Sequence, residues 1–135
     1  MLGDCTFIEP GNGLVSGINV EDMLQVGKHP GKINLTDADN ALNILRTLTE
    51  RPAVSIMKHN NPCGVGRGGD VETAYQRALA CDPLSAYGSV IAVNRPLRRG
   101  VAEVMKDLFI EVIAAPEFGG EARALFAAKK KLRLV

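Results

Sequence analysis

The residues best suited to chemistry in this 135-residue chain are Lys58 and His59, a cation and an imidazole that stand side by side. They follow residues 53–57, a short and largely β-branched apolar run that predicts a buried strand. Asn61-Pro62 and Gly64 come next and predict a turn. Because ligands of open α/β sheets bind outside the carboxyl ends of strands, we expect the pair at a ligand-binding edge. A solvated lysine beside a histidine that caps the strand is the competing interpretation, and spacing alone does not separate the two.

A glycine-rich pattern follows the pair. Residues 64–69 satisfy G-x-G-x-x-G between a predicted strand and a predicted helix, as in a dinucleotide-binding turn. However, the first glycine does not come directly after the strand, and the next predicted strand ends in Val93-Asn94-Arg95, with no acidic residue for a ribose hydroxyl. We therefore predict a mobile glycine-rich loop rather than a dinucleotide site.

Two other motifs carry weaker arguments. Pro62-Cys63 is similar to part of the zinc deaminase signature, but no second cysteine stands at position 66 and no His-x-Glu precedes it, so no metal is predicted. Cys63 has no argument as a nucleophile beyond its nearness to His59. Gly88, just before a second apolar run, would let a ligand approach the backbone closely, although an ordinary turn before a strand explains it equally well.

Composition favours an ordinary globular protein. Hydrophobic residues make up 46% and charged residues 23% of the chain, which argues against disordered and fibrous classes. The net charge of +1, without a basic arm, argues against a nucleic-acid partner. Three widely spaced cysteines (Cys5, Cys63, Cys81) favour a reduced chain. Without a bilayer-spanning segment or a signal-peptide pattern, we expect one cytoplasmic domain over residues 1–135, with no membrane contact.

Helices and strands are predicted to alternate. A strand at 5–9 and a short segment up to about residue 26 precede a loop at 27–31, and Thr36 and Asp39 predict the start of the first helix, with Thr36 as its N-cap. Helices are predicted up to residue 51 and at 70–81, 99–108 and 121–130 (with lysines 129–131 around the last turn), and strands at 53–57, 89–93, 109–115 and 132–135. Since the strands lack polar alternation, we predict an α/β fold of three layers, α/β/α.

Residues 58–64, Lys-His-Asn-Asn-Pro-Cys-Gly, resemble the active-site signature of aminoimidazole-carboxamide ribonucleotide (AICAR) transformylase. That activity is one part of a bifunctional purine-biosynthesis enzyme that also carries IMP cyclohydrolase. Residues 31–38, 82–95, 111–116 and 127–130 are similar to further blocks of the family, in family order. The combination is specific, although each block alone is weak.

The resemblance implies a fold and an activity. The fold is the first of two cytidine-deaminase-like α/β/α subdomains without catalytic zinc. The activity is formyl transfer from 10-formyltetrahydrofolate to the 5-amino group of AICAR, in which His59 matches the proton acceptor and Lys58 the residue that stabilises the transition state. By the same resemblance, nucleotide contacts are expected from Asn34, Gly88, Glu111 and Lys130, the last near the phosphate.

The departures from the family imply a composite site. The family's Arg-Tyr-Gly segment has no counterpart here, residues 1–25 resemble the family poorly, and the second subdomain is absent. We therefore expect a partner, either a second transformylase-half chain or another copy of this chain. A non-catalytic nucleotide-binding or regulatory module of the same fold is the main alternative, and a dinucleotide-binding domain that uses residues 64–69 is a weaker one.

Overall fold

A mixed five-stranded sheet organises the computed structural model, which describes residues 23–25, 27 and 31–135. The helices are α1 (Lys32–Leu45), α2 (Val71–Cys81), α3 (Arg99–Met105) and α4 (Gly120–Ala127). The strands are β1 (Ala53–Lys58), β2 (Asn61–Arg67), β3 (Ser89–Val93), β4 (Ile110–Ala114) and β5 (Arg133–Leu134). The strand predicted at 5–9 lies outside the described residues, as does most of the segment predicted up to residue 26. No helix among the described residues is long and apolar enough to cross a membrane.

The sheet is covered on both faces. Val54 and Ile56 pack in a cluster with residues of α2, α3 and α4, whereas Ala53 and Met57 pack in a second cluster with Leu45 of α1. Neighbouring residues of β1 therefore point to opposite helical layers, which explains why the strand has almost no polar positions. The prediction of an α/β fold with helices on both faces is confirmed.

The direction of β1 decides which edge of the sheet can hold a site. In the order β2-β1-β3-β4-β5, β1 is antiparallel to both of its neighbours, while β3, β4 and β5 are parallel to one another. The carboxyl end of β1 consequently lies beside the amino ends of the three parallel strands. Lys58 and His59 do follow a strand end, but the rule for parallel sheets does not place them at a ligand-binding edge.

The first helix begins earlier than expected. α1 starts at Lys32 after Gly31, which makes no side-chain cap, and the predicted N-cap at Thr36 was wrong. The Thr36 hydroxyl instead donates to the carbonyls of Lys32 (3.2 Å) and Ile33 (2.9 Å). A threonine within a helix can bond to the preceding turn in this way, so its preference for caps did not decide the boundary.

The predicted mobile loop at 64–69 was also wrong. Residues 61–67 form β2, which pairs with β1 along its length. A Cβ atom on Gly64 would overlap the carbonyl oxygen of Ala78, and one on Gly66 would overlap that of Ala74. The glycines thus allow α2 to pack directly on the strand. Because they do not form a strand-to-helix turn, the dinucleotide interpretation has no structural basis here.

Smaller differences concern the last elements. α3 ends at Met105, and α4 ends at Ala127, so lysines 129–131 follow the helix rather than forming its last turn. The remaining predicted strands are present, although β4 and β5 are shorter than expected.

Candidate functional site

A cleft of about 600 Å³ opens where β1 ends and the parallel strands begin. It is lined by the start of α1, the end of β1 and the turn after it, the residue before β3, the first residues of β4 with the residue before them, and β5 with the segment before it. Five predicted site residues line it together: Asn34, Lys58, His59, Gly88 and Glu111. A cleft of this volume lies in the range of small-molecule sites.

The turn that carries His59 has an uncommon backbone. His59 (φ 52°) and Asn60 (φ 63°) both adopt the left-handed conformation. The carboxylate of Asp37 on α1 accepts both backbone N–H groups, from His59 at 3.0 Å and from Asn60 at 2.6 Å. A left-handed residue costs about 1–2 kcal/mol, so two in succession need support from outside the turn. Asp37 supplies that support, although it was not among the site residues predicted from the sequence.

The ammonium of Lys58 is fixed at the edge of the cleft. Its Nζ donates to the carbonyl of Tyr87 at 2.7 Å. Since an ammonium carries three donors, this contact orients the group without exhausting its hydrogen-bonding capacity. The next residue, His59, is exposed at the same cleft. An exposed imidazole beside an anchored cation can exchange a proton near a fixed positive charge.

Another part of the cleft lining forms a polar network. Asn34 Nδ2 donates to Glu111 Oε2 at 2.7 Å, and the guanidinium of Arg133 donates to the Glu111 carbonyl at 3.3 Å and lies 3.8 Å from Oε2. Arg133 is only 3% exposed, and this burial lowers its pKa while the Glu111 carboxylate raises it. An arginine nevertheless stays charged in proteins. Sequence reasoning missed Arg133, although a cation between two buried leucines is the kind of residue that needs a partner.

Gly88 adopts a positive φ of 72° at the mouth of the cleft. Its N–H donates to the carbonyl of Phe109 at 2.8 Å, and a Cβ atom would meet only the Phe109 ring, at an ordinary 3.7 Å. The ring of Phe109 also contacts that of Tyr87, with centroids 5.2 Å apart. Glycine is therefore favoured here by backbone conformation rather than by lack of space.

Lys130 is the one predicted site residue that does not line this cleft. It lines a neighbouring hollow of about 360 Å³, which shares Phe109 and Lys131 with the main cleft. Lys131 is the lysine of this run that reaches the main cleft. The role of Lys130 stays a prediction.

Cys63 gains no support as a nucleophile. The register steps from Ile56 opposite Gly64 to Met57 opposite Pro62, which leaves Cys63 as the extra residue of a β-bulge. Burial raises the pKa of the Cys63 thiol, to which the charge of Asp82 adds, so the reactive thiolate is disfavoured. Within the described part of the chain, no group of three or more His, Cys, Asp or Glu side chains is arranged to hold a metal ion.

The charge of the cleft favours an anionic ligand. Two carboxylates, those of Asp37 and Glu111, face four cationic side chains: Lys32, Lys58, Lys131 and Arg133. The first turn of α1, which also lines the cleft, has neither an acidic residue nor a side-chain cap. The positive end of the helix dipole therefore adds to the field of the side chains.

Comparison with known proteins gives one consistent result. The sequence model described as AICARFT/IMPCHase bienzyme matches residues 9–135. Similar curated proteins are each named bifunctional purine biosynthesis protein PurH. The protein of Rhodospirillum rubrum is 47% identical over 126 residues, which is 93% of this chain and 24% of the relative. The proteins of Caulobacter vibrioides (44% over 132 residues) and Bacillus cytotoxicus (43% over 130) each cover 96% of this chain and 24% and 25%, respectively, of the relative.

The chain thus spans about a quarter of the length of the curated relatives it matches. The resemblance that Lys58 and His59 first suggested extends over nearly all of the sequence. On this ground the chain belongs to the AICARFT/IMPCHase bienzyme family.

Proposed function

We propose that this chain acts in purine biosynthesis and supplies the Lys58–His59 half of an AICAR transformylase site. One observation carries the proposal: Lys58 and His59 line the same cleft of about 600 Å³, and His59 is an exposed residue. An imidazole buried among aliphatic side chains, or aimed away from any hollow, would have removed the basis for this chemistry.

The reaction requires a base and a positive charge. The 5-amino group of AICAR is conjugated with the carboxamide and is a poor nucleophile, and 10-formyltetrahydrofolate supplies the formyl group. The amine nitrogen bonds to the formyl carbon while His59 accepts the proton that the amine loses. The bond from that carbon to the folate nitrogen then breaks, and His59 returns the proton to the departing nitrogen, so that neutral tetrahydrofolate is released. Lys58 stabilises the negative charge that develops on the formyl oxygen.

The remaining polar groups suit a nucleotide. The excess of cationic over acidic side chains around the cleft supports binding of a phosphate-bearing ligand. Asn34 and Glu111, joined by a 2.7 Å hydrogen bond, add donors and acceptors to the lining of the cleft. Gly88 leaves the backbone open to close approach from the cleft.

The site is proposed to be composite. A nucleotide and a folate together need more surface than one cleft of this volume offers. Ile33, which lines the cleft, and Tyr87, whose carbonyl holds Lys58, are 55% and 62% exposed, and a partner would cover such apolar groups. The partner is either a second transformylase-half chain or another copy of this chain, and the fold of each half would be cytidine-deaminase-like.

A formyl-transfer assay tests the proposal. The chain is mixed with AICAR and 10-formyltetrahydrofolate, alone and with a candidate second-half chain, and tetrahydrofolate release is followed. In the active mixture, His59→Ala should lower kcat by about 10²- to 10⁴-fold, because removal of a general base has effects of that size. Lys58→Met should also lower kcat, whereas Lys106→Met, a matched control at an exposed lysine paired with Glu103, should not.

Three results would contradict the proposal. Full activity in His59→Ala would exclude the imidazole as the proton acceptor. Binding of AICAR without turnover in every mixture would favour the non-catalytic nucleotide-binding module. Ring closure of formylated AICAR to IMP without formyl transfer would assign the chain to the other activity that the family description names.

A further inference from the structure

We propose that Asp37 is a positioning residue, whose carboxylate holds the left-handed turn at His59 and Asn60 and thereby fixes the position of His59 at the cleft. The expected effect on kcat rests on the proposed function, because it assumes that the chain takes part in formyl transfer. Its structural part stands on the geometry of α1 and the turn.

The contact between Asp37 and the turn joins one carboxylate to two adjacent amides. Oδ2 accepts from the N–H of His59 at 3.0 Å and Oδ1 accepts from that of Asn60 at 2.6 Å. Asp37 is an acidic residue, yet it is only 3% exposed. Water therefore cannot take the place of the two N–H groups that its carboxylate binds. Bonds from an ionised acceptor to backbone N–H groups are among the stronger hydrogen bonds in proteins.

The backbone explains why a clamp is needed. His59 and Asn60 have φ values of 52° and 63°, and asparagine tolerates this region better than histidine does. Relaxation of His59 to a negative φ would change the direction of its side chain relative to the cleft that it lines together with Lys58. Two bonds from one rigid helix oppose that relaxation.

The position of Asp37 on α1 links the turn to the polar network at Glu111. Asn34, three residues earlier, bonds to Glu111, and Asn40, three residues later, donates to the Asn60 side chain at 3.2 Å. Asn34, Asp37 and Asn40 are spaced three residues apart, so successive positions on neighbouring turns of α1 contact Glu111 and the turn at residues 59–60. The helix therefore connects that turn to the Asn34–Glu111 pair.

Hydrogen exchange of the unaltered chain is the first test, because it does not depend on a variant that folds. Although the turn is exposed, the amides of His59 and Asn60 should exchange at least tenfold more slowly than unbonded amides of the same sequence type, as measured by NMR. Exchange at the unprotected rate would show that the clamp is absent in solution and would overturn the inference.

Asp37→Asn is the second test, since the amide retains one acceptor and turns an NH₂ group toward the other N–H. We expect faster exchange at both amides and a kcat lower by roughly 10- to 100-fold with the KM for AICAR nearly unchanged, as for a misaligned catalytic group. Glu50 lies just before β1 begins, at the other end of the strand from His59, and its side chain is 86% exposed. Glu50→Gln should therefore change neither the exchange of the two amides nor kcat. An unchanged kcat in Asp37→Asn, or a loss explained entirely by the unfolded fraction, would overturn the inference.

A rescue experiment separates positioning from general stability. Asn60→Gly lowers the strain of the left-handed turn without restoring the carboxylate, so the double variant Asp37→Asn/Asn60→Gly should recover part of kcat. No recovery would count against the turn as the route by which Asp37 acts.

Wild-type activity is measured first: its absence in every mixture counts against the proposed function, whereas wild-type activity that survives Asp37→Asn counts against Asp37 alone.

Discussion

The turn at residues 59–60 and the glycines of β2 are close neighbours in the chain, yet they meet the rest of the protein in opposite ways. The turn is exposed at a cleft and is held by two hydrogen bonds from Asp37. Gly64 and Gly66 are buried under α2, in backbone contact with a helix that leaves no room for a side chain. One region is strained and polar, and the other is close-packed and apolar.

The difference shows how similar sequence signals divide between function and packing. Asn61-Pro62 and Gly64 predicted a turn and residues 64–69 a mobile loop, because both stretches are rich in turn-forming residues. The turn is instead at residues 59–60, and residues 61–67 form β2. Only the turn presents side chains to a cleft. Backbone strain held by a buried polar group is typical of functional sites, whereas glycines in a strand often mark the close approach of another backbone.

The largest expected effect on stability is in the packed region. Gly66→Ala should lower the free energy of unfolding by about 3 kcal/mol, because the new Cβ would overlap the Ala74 carbonyl in a rigid helix-on-strand contact. Chemical denaturation measures the change. Gly69→Ala, where a Cβ would meet nothing within 4 Å, is the matched control and should stay within about 0.5 kcal/mol. A Gly66→Ala protein as stable as the control would contradict the conclusion that Gly66 is packed too closely against α2 to carry a side chain.

The expected effect of a small apolar residue in the turn is intermediate. Asn60→Ala should cost about 1 kcal/mol, because alanine pays the left-handed strain that asparagine tolerates. Asn60→Gly should be near neutral by the same measurement, since it loses only an exposed side-chain contact with Asn40. If the Asn60→Ala and Asn60→Gly proteins were equally stable, the left-handed backbone at residue 60 would not be what destabilises the alanine variant.

The smallest expected effect at neutral pH is at Tyr75, a buried α2 residue in the packed region. Its hydroxyl has no hydrogen-bond partner among the described residues, whereas each carboxylate oxygen of Asp37 accepts a hydrogen bond. Tyr75→Phe should therefore change the free energy of unfolding by less than about 1 kcal/mol at pH 7.

Alkaline pH sharpens this prediction. Burial raises the pKa of Tyr75 to about 12 in the folded protein, above its ordinary value of 10.0. The unfolded chain therefore releases this proton first, and the stability that Tyr75 contributes below pH 10 is lost as the pH rises toward 12. Denaturation curves between these two pH values should show a shallower decline for Tyr75→Phe than for the wild type. Parallel declines in the two proteins would show that the burial of Tyr75 does not cause this loss of stability.

Much of the fold could be predicted from local sequence. The apolar runs at 53–57 and 89–93 were correctly predicted as buried strands, and the helix predicted at 70–81 is present as α2, where Asp70 accepts from the Thr73 N–H at 2.7 Å. These features depend on residues close in the chain. The start of α1 was missed, because the preference of Thr36 for a cap competes with an equally local bond to the preceding turn.

The site was predicted less completely. The sequence places Lys58 next to His59, and the family resemblance indicated Asn34, Gly88 and Glu111. These three residues line the same cleft as Lys58 and His59. Arg133 was missed because its partner lies 22 residues away on a neighbouring strand. A local pattern does not identify such a partner.

The sequence by itself determined which runs are buried, which helices have an apolar face, and that an ammonium and an imidazole stand together beside a turn. Only the tertiary structure decided that β1 runs against β3, that the pair therefore meets the amino ends of the parallel strands, and that a carboxylate on α1 holds the turn in place. The physical reason is that hydrophobic periodicity and capping depend on neighbours in the chain. Strand direction and a hydrogen bond across 22 residues depend instead on how distant segments pack together.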